Sequence, residues 1–231
     1  MSSPVRILAV GDIHGCAYAF EALLRAVKLT RDDLMITLGD YVDRGPDSAS
    51  VMNRLVRLAE THRLVALRGN HEQMMLAARE DEAGLAFWQA CGGDTTLMSY
   101  SPLDDHGSLA DVPDEHWEFL ERTCVDWYET GTHFFVHGGA VPHLPLERQS
   151  PLVLRWQTFE NPERHRSGKT MVCGHTPQKT GVPRNLGYAV CIDTHAHGDD
   201  GWLTCLDVTS GQYWQANERG ETRTASLGQD G

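Results

Sequence analysis

Apolar residues in this chain come in short, nearly unbroken runs, and the early runs each close on a glycine with a polar neighbour. Val5 to Val10 ends at Gly11-Asp12, Leu34 to Leu38 at Gly39-Asp40, and Leu64 to Leu67 at Arg68-Gly69-Asn70. An apolar run of this length closed by a turn signal predicts a strand buried on both faces. Between the runs the period changes. Phe20, Leu23, Leu24 and Val27 in the stretch Tyr18 to Leu29, and Val51, Met52, Leu55 and Val56 in Ser48 to His62, recur at helical spacing. A further helix is predicted over Glu72 to Arg79. Strand, loop and helix repeated three times predict an α/β layer arrangement with the polar loops along one edge.

The second half reads differently. Asp81 to Asp126 is helical or irregular, with Trp88, Trp117, Phe119 and, just beyond, Trp127 as apolar anchors. The polar loop Pro102 to Pro113 is a candidate lid, and its acidic part Leu103 to Asp114 a candidate for substrate discrimination. Strands are predicted over Thr132 to Val136, Thr170 to Cys173 and Tyr188 to Ile192, running into His137-Gly138-Gly139, Gly174-His175 and Asp193. Leu144 to Arg166 gives no clear element. Trp202 to Val208 and Gln212 to Gln215 pair as a hairpin about Thr209-Ser210-Gly211. Turns, not helices, divide these strands. Two facing sheets with helices outside are therefore expected, in place of a simple doubly wound fold. Residues 1–231 read as one domain, with a loose polar tail from about 218 to 231.

Charge and cysteine content narrow the function classes. The net charge of -12 disfavours a broad nucleic-acid face, although a local pocket of cations reverses that sign. The six cysteines form no CxxC pair, and no leader or membrane-length apolar run is visible. A reducing cytoplasm is the expected setting, with no membrane partner.

The chemistry lies where the runs end. Asp12 and His14 stand two apart after the first run, Asp40 follows the second, and Asn70 follows the third. His137 and His175 follow two later runs. A carboxylate such as Asp40 bridges two cations held roughly 3.5–4 Å apart, and the six residues together supply two sites of mixed nitrogen and oxygen ligation. Such donors suit manganese, iron or zinc, and no thiolate in the set forces zinc. Taken alone, an Asp-x-His is as readily a helix cap beside a surface histidine. His71, next to Asn70, points elsewhere along the chain, and with Asp43 as its carboxylate partner reads as the acid that protonates a leaving alcohol. The plainer reading makes Asp43-Arg44 and His71-Glu72 caps and surface pairs, with Glu72 placed for the helix dipole. Arg44 and Arg68 flank these loops and match phosphate oxygens. Arg155 is a third candidate, though an arginine beside a tryptophan often packs on the ring. Arg68 serves equally as a partner for a carboxylate. No phosphate-binding P-loop and no nucleophile elbow is present.

The array GDIHG, GDYVDRG, GNHE, HGG and GHTP resembles the signature of the phosphoprotein phosphatase branch of the calcineurin-like metallophosphoesterases, with the small lambda-type serine/threonine phosphatases of bacteria and phages as the nearest pattern. The resemblance implies an α/β four-layer sandwich, two mixed β-sheets flanked by α-helices. It implies Asp12 and His14 as ligands of a first metal, Asp40 as the bridge, and Asn70, His137 and His175 as ligands of a second. It implies His71 as the acid with Asp43 behind it, Arg44 as a phosphate clamp and Arg155 as a second substrate arginine. The cofactor implied is two divalent ions, manganese foremost, with attack by a metal-held hydroxide and no phosphoenzyme. The chain departs from the pattern at Asp193-Thr194-His195, where many bacterial relatives have glycine after the threonine; a rim position is expected for His195. The substrate expected is a phosphorylated protein or small phosphoester, on phosphoserine or phosphothreonine and within reach of phosphotyrosine, with no obligate regulatory subunit. The alternatives are a symmetrical dinucleoside-tetraphosphate hydrolase and, from another class, an inactive metal-binding scaffold. A phosphodiesterase or nuclease is disfavoured by the acidic balance.

Overall fold

The computed structural model describes residues 6–101 and 107–228. Its elements follow the alternation of apolar runs and helical periods. The first half holds β1 (Ile7–Val10), α1 (Ala17–Val27), β2 (Leu34–Thr37), α2 (Ser48–Thr61), β3 (Arg63–Ala66), α3 (Asn70–Ala77), α4 (Glu82–Trp88), α5 (Asp94–Tyr100) and α6 (Asp114–Glu118). The second holds β4 (Trp127–Glu129), β5 (His133–Val136), α7 (Pro151–Trp156), β6 (Thr170–Cys173), β7 (Arg184–Asn185), β8 (Ala189–Cys191), β9 (Leu203–Asp207), β10 (Gln212–Ala216) and β11 (Thr222–Ser226).

These strands form two sheets, one in the order β11-β10-β9-β1-β2-β3 and the other β4-β5-β6-β8-β7. Both are mixed. β1, β2 and β3 run parallel while β9, β10 and β11 join antiparallel; β5, β6 and β8 run parallel between antiparallel β4 and β7. Successive side chains on a strand point to opposite faces, and the core is divided accordingly. Ala9, Ile36, Phe135, Val172 and Val190 meet between the sheets. Leu8, Val10 and Met35 face the other way, against Phe20 and Leu23 of α1 and Val51 and Leu55 of α2. Phe134, Val136, Met171 and Cys173 face outward on the second sheet, against Leu154 of α7 and Phe159. The result is helix, sheet, sheet, helix, as the motif resemblance implied. The central strands are apolar throughout because both of their faces are covered.

The structure corrects two expectations. α3 starts at Asn70, two residues before the predicted Glu72, because the Glu72 carboxylate reaches back to accept the Gly69 N–H at 2.8 Å and closes the first turn. The tail is not loose over its described part: β11 pairs with β10 from Gln212↔Ser226 to Ala216↔Thr222. All five β11 residues are exposed, so no apolar pattern announces the strand. Arg223 secures it, donating to Gln215 Oε1 at 2.7 Å and to the Gly181 carbonyl at 2.6 Å while its guanidinium lies 4.0 Å from the Trp202 ring. Residues 229–231 lie outside the described residues. So do 102–106 of the candidate lid; what is described of 103–114 is a helical turn at Leu109–Asp111 and the start of α6. The six cysteines are free thiols. Among the described residues no helix is long and apolar enough to cross a membrane.

Candidate metal centre

The parallel strands of both sheets end at one edge, and their carboxyl ends carry the polar residues. Asp12 follows β1, Asp40 follows β2, and Asn70 opens α3 after β3. His137 follows β5, His175 follows β6, and Asp193 follows β8. Neighbouring parallel strands present their loops side by side, so residues far apart in sequence converge.

Convergence is tight around one carboxylate. The ligand atoms of His14, Asp40 and His71 all lie within 4.8 Å of one another, and so do those of Asp40, His137 and His175. Asp40 alone belongs to both groups. Its Oδ1 lies 3.3 Å from His137 Nε2 and its Oδ2 3.5 Å from His14 Nε2. The Asn70 Oδ1 completes the second group, 2.9 Å from His137 Nε2 and 3.0 Å from His175 Nδ1.

The imidazoles are oriented from behind by backbone carbonyls. His14 Nδ1 meets the Val42 carbonyl at 2.9 Å, His137 Nδ1 the Leu38 carbonyl at 2.9 Å, and His175 Nε2 the Trp156 carbonyl at 3.1 Å. A carbonyl only accepts, so each of those nitrogens carries the hydrogen. The opposite nitrogen of each ring faces Asp40, Asn70 or both, as a lone pair when the ring is neutral. Such orientation of a ligand ring by its far nitrogen is the usual support of a metal-binding histidine. Burial holds the pKa of His14 well below its ordinary value and, aided by the His137 charge, that of His175 down to about 4, which keeps both lone pairs available. Burial opposes the charged His137 ring, but Asp40 outweighs it and the His137 pKa stands above its ordinary value.

Asp12 stands just outside the two groups. Its Oδ2 accepts the His175 N–H at 2.9 Å, while Oδ1 is buried with no partner among the described residues. Burial, then the charges of Asp193 and Asp40, push its pKa well up. A Cβ at Gly174 would sit 1.9 Å from that Oδ1, so only glycine admits the carboxylate there. Lone pairs facing lone pairs around Asp40, and an orphaned buried oxygen on Asp12, are the arrangement a pair of divalent cations satisfies, and the residues fit that group.

His71 differs from the other three histidines. Its Nδ1 meets no carbonyl but the Asp43 Oδ2, at 2.6 Å, and its Nε2 lies 4.0 Å from Asp40 Oδ2. Burial opposes the charged ring, but Asp40 and Asp43 outweigh it and the His71 pKa stands above its ordinary value. Asp43 is itself pinned. The Trp88 indole N–H donates to it at 2.8 Å and the Thr96 hydroxyl at 2.7 Å. Sequence reading missed both partners and took Trp88 for an apolar anchor. A buried indole N–H requires an acceptor, and that requirement was the available signal.

Glu72 is a second omission. It is fully buried, and its carboxylate accepts four backbone N–H groups, from Gly69, Asp40, Tyr41 and, at 3.4 Å, Val42. This ties the Asp40 loop to the start of α3. It is no surface pair; from the first turn of α3, where its charge also suits the helix dipole, it braces the neighbouring loop. Glu72→Gln replaces one of the accepting oxygens by an amide N–H that faces donors. A loss of about 3 kcal/mol is expected in urea unfolding, the range for leaving buried donors without a charged acceptor. A midpoint unchanged from wild type would show that the loop does not depend on this carboxylate.

The three arginines separate. Arg44, exposed and at φ +70°, donates from Nη1 to His14 Nε2 at 3.1 Å and stands at the rim of the centre. Arg68 does not. Its guanidinium is spent on the carbonyls of Leu120, Glu121 and Cys124, so the phosphate role expected of it is corrected: its flanking position led instead to a brace on the turn at 119–124. Arg155 is buried, bound to Asp126 and, through Nη1, to Gln73 Oε1 at 3.1 Å. It adjoins the centre through Gln73 of α3 and through its neighbour Trp156, whose carbonyl orients His175. His195, placed at the rim by sequence, is half-buried and packs on His197, which in turn packs on His14.

Two mixed sheets whose shared edge gathers nitrogen and oxygen donors about one carboxylate define a candidate dinuclear metallohydrolase. The chain belongs to the calcineurin-like phosphoesterase family, whose model matches residues 5–203. It is 41% identical over 92 residues to serine/threonine-protein phosphatase 1 of Salmonella typhimurium, covering 38% of this chain and 39% of that protein. It is 30% identical over 171 residues to a symmetrical bis(5'-nucleosyl)-tetraphosphatase of Nitrosomonas europaea, covering 73% of this chain and 58% of that one. A crystal structure described as a candidate diadenosine tetraphosphatase shares the fold at a TM-score of 0.65 and 21% identity, over 98% of this chain and 95% of its own. The chain spans between 25% and 58% of the length of the curated relatives named or compared with it.

Proposed function

We propose that this phosphoesterase is a metal-dependent phosphomonoesterase acting on phosphoserine and phosphothreonine, with phosphotyrosine within its range. In this reading Asp12, His14 and Asp40 hold one divalent cation, and Asp40, Asn70, His137 and His175 hold the other, manganese in both places. When bound, such a pair supplies Lewis acidity toward phosphoryl oxygens and lowers the pKa of water at the centre. The chain's own residues do the rest. Arg44 at the rim takes the phosphoryl oxygens through guanidinium N–H groups. His71 holds a proton at Nε2 for the leaving oxygen, and Asp43, fixed by Trp88 and Thr96, keeps that nitrogen aimed at the centre. A cytoplasmic enzyme working without an obligate regulatory subunit is part of the proposal.

The observation that carries the reading is the His71–Asp43 pair. A leaving alkoxide is strongly basic and needs a proton as it departs, whereas a phosphate leaving group departs as a stable anion. A buried, doubly anchored acid is an asset for the first and of small use for the second. The second reading, a symmetrical dinucleoside-tetraphosphate hydrolase, draws support from tetraphosphatase-named relatives whose matches span 63% and 73% of the chain, against 38% for each of two phosphatase-named ones. Turnover of a phosphoserine peptide, diadenosine tetraphosphate and an aryl phosphate, each with added manganese, tests them. The peptide is expected to have the largest kcat/KM. Tetraphosphate hydrolysis without peptide turnover would transfer the assignment to the second reading, and inactivity on all three would favour a metal-binding scaffold.

A further inference from the structure

The loop between β8 and β9 carries two imidazoles that the reaction above does not use. His197 packs edge-on against His14 with ring centroids 4.8 Å apart, and His195 packs edge-on against His197 at 4.5 Å. A row of rings thus leads from the candidate centre outward. Neither side chain has a hydrogen-bond partner among the described residues, and the Nδ1 of His197 is buried without one. A buried ring nitrogen of this kind costs free energy unless something outside the fold pairs with it.

The backbone is bent to place this pair. His195 adopts φ +62°, a region disfavoured for any residue with a Cβ. The loop then closes on its ring, since a Cβ at Gly198 would lie 2.4 Å from His195 Nδ1. Arg44 acts on both imidazoles and Lys179 on His195, while Asp40 acts on His197 with the opposite sign. Asp200 of the same loop is turned toward Arg219, 3.6 Å away. His197 and Arg44, though not His195, also share the wall of a cavity of about 820 Å³ whose other lining includes Ser50, Asn53, Thr95 and Ser99 and one carboxylate, Asp47, which caps α2 by accepting the Ser50 N–H.

We propose that His195 and His197 are a donor pair for a second phosphate group of the substrate, flanking the phosphoryl group at Arg44. The proposal rests on the phosphoesterase reading of the same centre. Imidazole keeps at least one N–H in either protonation state, so the pair offers donors to phosphate oxygens across the neutral range. His197 stands one ring contact beyond His14, which suits a phosphate joined to the first or carried close beside it. A phosphoanhydride chain and a peptide bearing neighbouring phosphoesters both present that chemistry.

Calorimetric titration of the manganese-saturated protein, with inorganic phosphate and with methylenediphosphonate equilibrated at the same free manganese, reads the pair without turnover. Wild type is expected to bind the diphosphonate on the order of ten-fold more tightly than phosphate. In His195→Gly/His197→Ala that preference should vanish while phosphate affinity and two bound ions per chain are kept. The single variant His195→Gly, which suits the positive φ, guards against misfolding and should lose part of the preference. An equal affinity for the two ligands in wild type, a preference that survives both substitutions, or a parallel loss of phosphate and manganese would overturn the proposal. Failure of the phosphoesterase reading looks different: no phosphate binding and no aryl phosphate turnover in wild type. Turnover of diadenosine tetraphosphate, of a peptide with adjacent phosphoserines and of a singly phosphorylated peptide identifies the source. The variant's penalty falls on the first for an anhydride and on the second for neighbouring esters; an equal penalty on all three again overturns the pair's role.

Discussion

Asp40→Asn should empty the centre and abolish turnover together. Asp40 is the one residue common to both ligand groups, with one oxygen toward His137 at 3.3 Å and the other toward His14 at 3.5 Å. The substitution removes the charge and turns one of those oxygens into an amide that carries no lone pair for a cation. The fold should survive it. Asp40 sits at φ +51°, a conformation asparagine tolerates about as well as aspartate, and the His71 N–H that donates to Oδ1 at 3.1 Å still finds an oxygen. Bound manganese is expected to fall from two ions per chain to one or fewer at concentrations that saturate wild type. Turnover should fall on the order of a thousand-fold or more, the scale seen when charge stabilisation at a reacting centre is lost. Metal analysis of the purified variant, with circular dichroism to confirm the fold, decides it. Two ions retained at wild-type affinity would remove Asp40 from the bridge.

What the sequence made legible was the set of strands buried on both faces and the loops that close them. The runs at Ile7–Val10, Leu34–Thr37 and Thr170–Cys173 are apolar because sheets or helices cover both sides, and each ends at a polar residue of the centre. Strands without that cover left no trace. β11 is polar because it is an exposed edge strand, and β7 is only two residues long. The ligand candidates were legible because their loops follow such strands directly. The supports behind them were not, since they depend on burial. Glu72 is legible as a first-turn helix residue, but not as the acceptor of the N–H groups of the Asp40 loop. Trp88 and Thr96 lie in α4 and α5, 45 and 53 residues from the Asp43 they hold. Arg68 showed the reverse error. Its position beside Asn70 fitted a phosphate arginine, but the carbonyls at the end of the turn before β4 claim it first.

His71→Asn should leave the ions in place and remove the acid. The ligand atoms of His71 fall within the same 4.8 Å group as those of His14 and Asp40, so distance alone would admit it as a ligand. Its surroundings argue otherwise. His14, His137 and His175 are each oriented by a carbonyl, which fixes the hydrogen on the rear nitrogen and leaves the forward one for a cation. His71 is oriented by the Asp43 carboxylate, which favours the charged ring with a proton forward. A cation and a proton cannot share that nitrogen. Metal content is therefore expected to stay near two ions per chain. The kcat on an alkyl phosphate should fall by roughly 10²–10⁴, the usual contribution of a positioned acid. On an aryl phosphate, whose leaving group needs little help from a proton, the same substitution should cost far less. The split between the two substrates separates proton donation from any general damage to the centre, which would slow both alike. Loss of manganese in this variant would place His71 among the ligands and leave the leaving oxygen without a donor.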